Sequence, residues 1–155
     1  VREIACHFDS VSVCFSKGLG TPAGSALCGS SELIARAHRW RKMAGGGMRQ
    51  TGVLAAAALH ALDHHVQRLA EDHANARRLA EGLQGLPGVS VAMPQTNIVF
   101  VDIAPGKPAD MVERLRDRGV LATGLHRLRL VTHLDVSRAQ VDHAVAVLRE
   151  CLSAS

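Results

Sequence analysis

The chain has 155 residues, 47% of them apolar and 21% charged, and a net charge of +4, a balance that buries a core and excludes a disordered segment. Its length allows one ordinary domain or one piece of a larger subunit. The arginines alternate with acids, as in RLAEDHANARRLAE, so no basic stripe argues for nucleic acid; no apolar run reaches the ~20 residues of a membrane span, since LAAAALHALD carries His60 and Asp63.

The chain begins at Val1, and Arg2 to Phe8 read as the tail of an element that starts upstream, which predicts a fragment or a clipped subunit. Asp9 to Phe15, DSVSVCF, mixes β-branched and aromatic residues and predicts a buried strand ending at a Ser-Lys-Gly-Leu-Gly turn. After Pro22, GSALCGS predicts a second strand close beside the first. Ser30 or Ser31 caps a helix carrying Leu33, Ile34, Ala37 and Trp40 at helical spacing, up to the break at Gly45-Gly46-Gly47. From about Gln50 to Glu81 the Ala-rich sequence, with Leu54, Ala58, Leu62, Val66 and Leu69 at three- and four-residue steps, predicts one long helix.

Around GLQGLPGV the composition shifts to Gly and Pro, which predicts a domain boundary between residues 1–85 and 86–155. Beyond it the pattern predicts strands at Ser90 to Ala92 and Asn97 to Ile103, then a helix at Ala109 to Arg118 closed by Gly119. Strands at Val120 to Thr123 and Arg127 to Thr132 follow, and a helix from Val136 to Leu152 that Ser137 and Gln140 open in capping-box spacing. There are no internal repeats. Cys6, Cys14, Cys28 and Cys151 show neither CxxC spacing nor a dense disulfide framework, which favours a reducing cytoplasm.

Lys17 stands at the end of a predicted strand, followed by glycines that let backbone approach a ligand. In a partly desolvated pocket the ammonium form of a lysine is disfavoured, and the free amine forms a Schiff base with an aldehyde, as pyridoxal phosphate requires. A strand-end lysine can also simply reach solvent. His60 and His64 sit four apart beside Asp63 and His65, but no glutamate stands in HExxH register, so these residues read as a solvated helix face and no metal is expected.

The nearly continuous run DSVSVCFSKGLGTPAGSALCGSSELIARAHRWRKMAGGGMRQTG resembles the segment around the cofactor lysine of low-specificity L-threonine aldolases. QTNIVFVD and RLRLVTHLDVS resemble the small domain of the same family. The resemblance implies an α/β chain that forms the C-terminal part of a fold-type-I pyridoxal-phosphate transferase fold. Residues 1–85 then belong to the cofactor-binding large domain and 86–155 to the small one. It implies a lyase that cleaves L-threonine, allo-threonine and other β-hydroxy amino acids to glycine and an aldehyde, in a cytoplasmic homo-oligomer, dimer or tetramer. A related β-eliminating lyase is the alternative chemistry, and a dead fragment acting only as an interaction module the alternative of another class.

By the same resemblance Lys17 holds pyridoxal 5'-phosphate, with Ser16 and Arg49 also at the cofactor, and Arg129 grips the substrate carboxylate. A planar guanidinium suits that bidentate task. Arg127, on the same strand face, is its competitor. Lys42 is placed beside the substrate. Lys42 and Arg49 flank the triple glycine, which with two cations is either a phosphate cradle or a plain helix stop. Ser16, standing before a turn, can equally serve the backbone, and His133 is given no role.

The resemblance also implies a longer subunit whose other half carries a phosphate loop, a histidine stacked on the pyridine ring and an aspartate paired with the ring nitrogen. Asp9 cannot replace that aspartate, because it lies on the same strand that leads into Lys17. These residues alone are therefore expected to have no useful activity, and to expose apolar surface on Val11, Val13 and the Ala-rich helix.

Overall fold

A computed structural model describes residues 1–104, 108–124 and 127–153, the side chains of 108–110 excepted. Its contacts form two compact units, Val1–Gln67 and Arg68–Ser155.

The first unit opens with α1 (Arg2–Ala5), then β1 (Ser10–Cys14) and β2 (Ser25–Gly29), which pair antiparallel with Ser10 opposite Gly29 and Cys14 opposite Ser25. Both strands match their predicted positions. Helix α2 (Ser31–Met43) begins where the Ser30 hydroxyl accepts the Leu33 N–H at 3.2 Å, which satisfies one of the free donors of its first turn. Helix α3 (Gly52–His64) is Ala-rich and buries only Ala61. Val53, Leu59 and Leu62 are exposed on it, and Val13 and Leu27 on the hairpin.

The single long helix expected from Gln50 to Glu81 is two helices. α3 ends at His64 and α4 (Leu69–Leu83) starts after a turn at residues 65–68. No glycine or proline marks that turn, so composition did not show it. The His65 ring instead meets the Leu19 carbonyl at 2.6 Å, and Arg68 pairs with Asp72 in the first turn of α4.

In the second unit β3 (Val89–Val91), β4 (Ile98–Ile103) and β5 (Arg127–Val131) form an antiparallel sheet in that order. Period-two alternation buries Val99 and Val101 of β4 and Leu128 and Leu130 of β5. On α4 the residues Ala76, Leu79, Ala80 and Leu83 recur at one-face spacing, and all are buried. They join Met111 and Leu115 of α5 (Pro108–Asp117) and Val141, Leu148 and Leu152 of α6 (Arg138–Ser153) in one core on one sheet face. The expected capping box is present: Gln140 N–H donates to the Ser137 hydroxyl at 3.3 Å, and Ser137 N–H donates to Gln140 Oε1 at 2.8 Å.

One expectation changes here. The segment Val120 to Thr123 is not a strand; it contributes a single bridge, Thr123 to Arg129. Helix α4 buries its apolar face in the core of the second compact unit. Among the described residues no helix is long and apolar enough to cross a membrane.

Candidate active site

The antiparallel pairing of β1 and β2 makes residues 15–24 the loop of a hairpin, and Lys17 lies in it. Phe15 N–H donates to Gly24 O at 3.0 Å, Thr21 N–H to Phe15 O at 3.2 Å and Gly20 N–H to Lys17 O at 2.8 Å. Gly20 at φ 72° and Gly24 at φ 116° supply the left-handed conformations that the chain needs to close this loop. His65 at the Leu19 carbonyl adds a tie from outside the hairpin.

The Lys17 side chain is exposed, and no hydrogen bond or ion pair holds its amine among the described residues. The loop thus presents the amine to water rather than to the desolvated pocket expected for a Schiff-base lysine. Ser16 Oγ lies 3.4 Å from Cys14 Sγ. This hydroxyl first, then the Ser16 backbone, holds the Cys14 thiol below its ordinary range, and the nearby Lys17 charge acts in the same direction. Cys14 was not among the candidate site residues, and its contact with Ser16, two residues further on, is what marks it.

The triple glycine closes α2. Gly45, at φ 86°, donates to Lys42 O at 3.2 Å, and Gly46 donates to Arg41 O at 2.8 Å, the paired bonds of a Schellman stop. Those two amides are spent on helix carbonyls, so the phosphate cradle of Gly45 and Gly46 is replaced by the helix stop. A Cβ on Gly47 would lie 2.6 Å from Lys42 Cδ, so the lysine stem lies across the glycine. Lys42 and Arg49 are both exposed.

In the second unit the sheet face opposite the core carries Phe100 and Asp102 of β4 and Arg127 and Arg129 of β5, with Asp102 opposite Arg127 and Phe100 opposite Arg129. Arg127 Nε lies 3.0 Å from Asp102 Oδ1, and its guanidinium sits 4.5 Å over the Phe100 ring centroid, a cation–π contact. Arg129 is exposed, and its guanidinium has no such partner among the described residues. Its backbone is bound on the outer side, with Arg129 N–H donating to Thr123 O at 2.6 Å. His133 lies 3.6 Å from Asp135.

The rings of His60 and His64 lie tilted to each other at 4.4 Å between centroids, and that of His65 stands edge-on to His60 at 5.4 Å. Among the described residues no group of three or more His, Cys, Asp or Glu side chains is placed to hold a metal.

Hairpin, helices and the small antiparallel sheet with its helical layer are the C-terminal part of a fold-type-I transferase fold. A solved structure from Exiguobacterium, described as an aromatic amino acid beta-eliminating lyase/threonine aldolase, is 25% identical, superposes with a TM-score of 0.77, and is matched over 96% of this chain and 46% of its own. The beta-eliminating lyase family profile matches residues 1–105, and the chain belongs to that family. The low specificity L-threonine aldolase of Escherichia coli K12 is 48% identical over 99% of this chain and 46% of its own length. Low-specificity L-threonine aldolase 1 of Arabidopsis thaliana is 40% identical over 98% of this chain and 44% of its own length. The chain spans about half the length of the curated relatives it matches.

Proposed function

We propose that this chain is the C-terminal part of a pyridoxal-phosphate aldehyde-lyase that splits L-threonine, allo-threonine and related β-hydroxy amino acids into glycine and an aldehyde. The observation that carries the reading is the place of Lys17, in the hairpin loop that follows β1 and is closed by Gly20 and Gly24, inside the segment matched to the family. The donor chemistry fits the cofactor in part. A primary amine suits an aldehyde, and the hydroxyl of the adjacent Ser16 suits a phosphate. Asp9 precedes β1 while Lys17 follows it, so the two stand at opposite ends of the strand and Asp9 is not the partner of a pyridine nitrogen held at Lys17.

In this reading Lys17 holds the cofactor through its amine, with Ser16 and Arg49 on the phosphate side. When bound, pyridoxal phosphate supplies the electron sink for the charge left when the Cα–Cβ bond breaks. Arg129 fixes the amino acid by its carboxylate through two parallel hydrogen bonds, and Lys42 stands on the substrate side. Residues 1–85 are assigned to the cofactor-binding large domain and 86–155 to the small one. The exposed apolar residues of the hairpin and α3 favour a homo-oligomer, dimer or tetramer, and the absence of disulfides among four free cysteines favours the cytoplasm.

The test is the complete enzyme with and without Lys17→Ala. Loss of the bound cofactor's visible absorption and of acetaldehyde release from threonine is expected. Retention of both in the variant removes Lys17 from the site. Ammonia and pyruvate from serine, without acetaldehyde from threonine, would assign the enzyme to the β-eliminating branch instead.

A further inference from the structure

We propose that Thr123 and Gly124 form a backbone strap that positions Arg129, which makes Gly124 a positioning residue for carboxylate binding. The inference rests on the reading of Arg129 given above. β5 is an edge strand, and its neighbour β4 lies on one side only. At Arg129 the backbone N–H and C=O point away from β4 and toward Thr123: Arg129 N–H donates to Thr123 O at 2.6 Å, and Thr123 N–H donates to Arg129 O at 3.4 Å. On an edge strand without such a partner the outer N–H and C=O stay unpaired; here they are satisfied at Arg129, whose guanidinium has no partner among the described residues.

Gly124 permits the approach. It stands at φ 127°, and a Cβ built there would lie 1.9 Å from the Arg127 carbonyl oxygen and 3.2 Å from Leu128 Cα. Both obstacles are backbone, so no rotamer change relieves them, and the conformation itself is closed to ordinary side chains. Any side chain at 124 drives the segment off the strand edge. The Thr123 side chain has no part in the bridge, because both bonds are main-chain.

This gives a signature that a general packing defect lacks. In the complete enzyme Gly124→Ala should raise KM for threonine about tenfold and leave kcat within about threefold, since the carboxylate contact acts alike on bound substrate and transition state. Cofactor content should stay unchanged, and Thr123→Val should behave as the parent. An unchanged KM in Gly124→Ala, or an equal rise in Thr123→Val, overturns the strap. If Gly124→Ala does not fold, Thr123→Pro, which removes the outer N–H, must raise KM in its place, and a parental KM there overturns it. Arg129→Lys is measured alongside. A parental KM in that variant sinks the carboxylate reading alone, and the strap is then judged by exchange of the Arg129 amide, which must accelerate in Gly124→Ala; unaltered exchange overturns it.

Discussion

Asp102 and Arg127 face each other across β4 and β5, with Arg127 Nε 3.0 Å from the Asp102 carboxylate. The pair is half-exposed and adds little stability, but it decides which arginine is available. Arg127 is engaged by a carboxylate in front and by the Phe100 ring beneath, so of the two β5 arginines it is Arg129 whose fork has no partner among the described residues. In the complete enzyme Arg129→Lys should therefore raise KM for threonine by at least ~10-fold, the loss of one bidentate contact at constant charge. Arg127→Lys should change it far less. Steady-state kinetics on the two variants decides, and the reverse order would transfer the carboxylate role to Arg127.

Sequence alone placed β1, β2, α2, β4, β5 and the Ser137 capping box, because each has a local cause: period-two alternation, a serine cap, a glycine stop. The place of Lys17, where a strand gives way to glycines, was legible for the same reason. What was not legible depends on contacts distant in sequence. The turn at residues 65–68 has no breaker and follows contacts of His65 and Arg68. The bridge between Thr123 and Arg129 replaces a strand that Val120 to Thr123 suggested. Likewise the engagement of Arg127, unlike Arg129, follows from the register that sets Asp102 opposite Arg127, and Gly45 and Gly46 spend their amides on α2 carbonyls, which composition did not show.

Cys14 and Cys28 are both exposed, yet only Cys14 has a hydroxyl beside its sulfur. The Ser16 hydrogen bond, with the Ser16 backbone and the Lys17 charge, favours the Cys14 thiolate, and the thiolate is the nucleophile. Near neutral pH Cys14 should alkylate faster than Cys28, and Ser16→Ala should slow Cys14 without affecting Cys28. Mass spectrometry after brief iodoacetamide labelling reads both rates. Equal rates in the parent chain would mean that the Ser16 contact does not persist in solution.

Gly82 sets the approach of α4 to α6. A Cβ there would meet Val145 Cγ1 at 2.7 Å and Cγ2 at 2.8 Å, and valine is stiff at χ1 and cannot turn away. Gly82→Ala should gain ~1 kcal/mol of helix propensity and lose about 1–3 kcal/mol to overpacking. The expected net result is lower stability, seen as a lower urea midpoint. A midpoint above the parent's would show that the two helices have room to separate.

Arg78 on α4 holds Asp142 on α6 by two hydrogen bonds, one of them from Arg78 Nη2 at 3.0 Å. The Arg78 hydrogen bond, and next to it the Arg78 and Arg138 charges, keep the Asp142 carboxyl below its ordinary range, while Arg78 is itself raised. A carboxyl whose folded pKa is depressed binds protons more weakly folded than unfolded. Its contribution to stability is therefore complete above the unfolded value of about 3.9 and disappears as pH falls through the folded value. Arg78 stays charged throughout, so the titration belongs to Asp142. Asp142→Asn should melt below the parent at pH 7, by a small margin because both groups are half-exposed to solvent. The margin should shrink below about pH 4 and should also narrow in high salt. Thermal melts of the two proteins across that pH range test this. A margin that stays constant from neutral to acid pH would assign the loss to packing at the α4 and α6 contact and not to the ion pair.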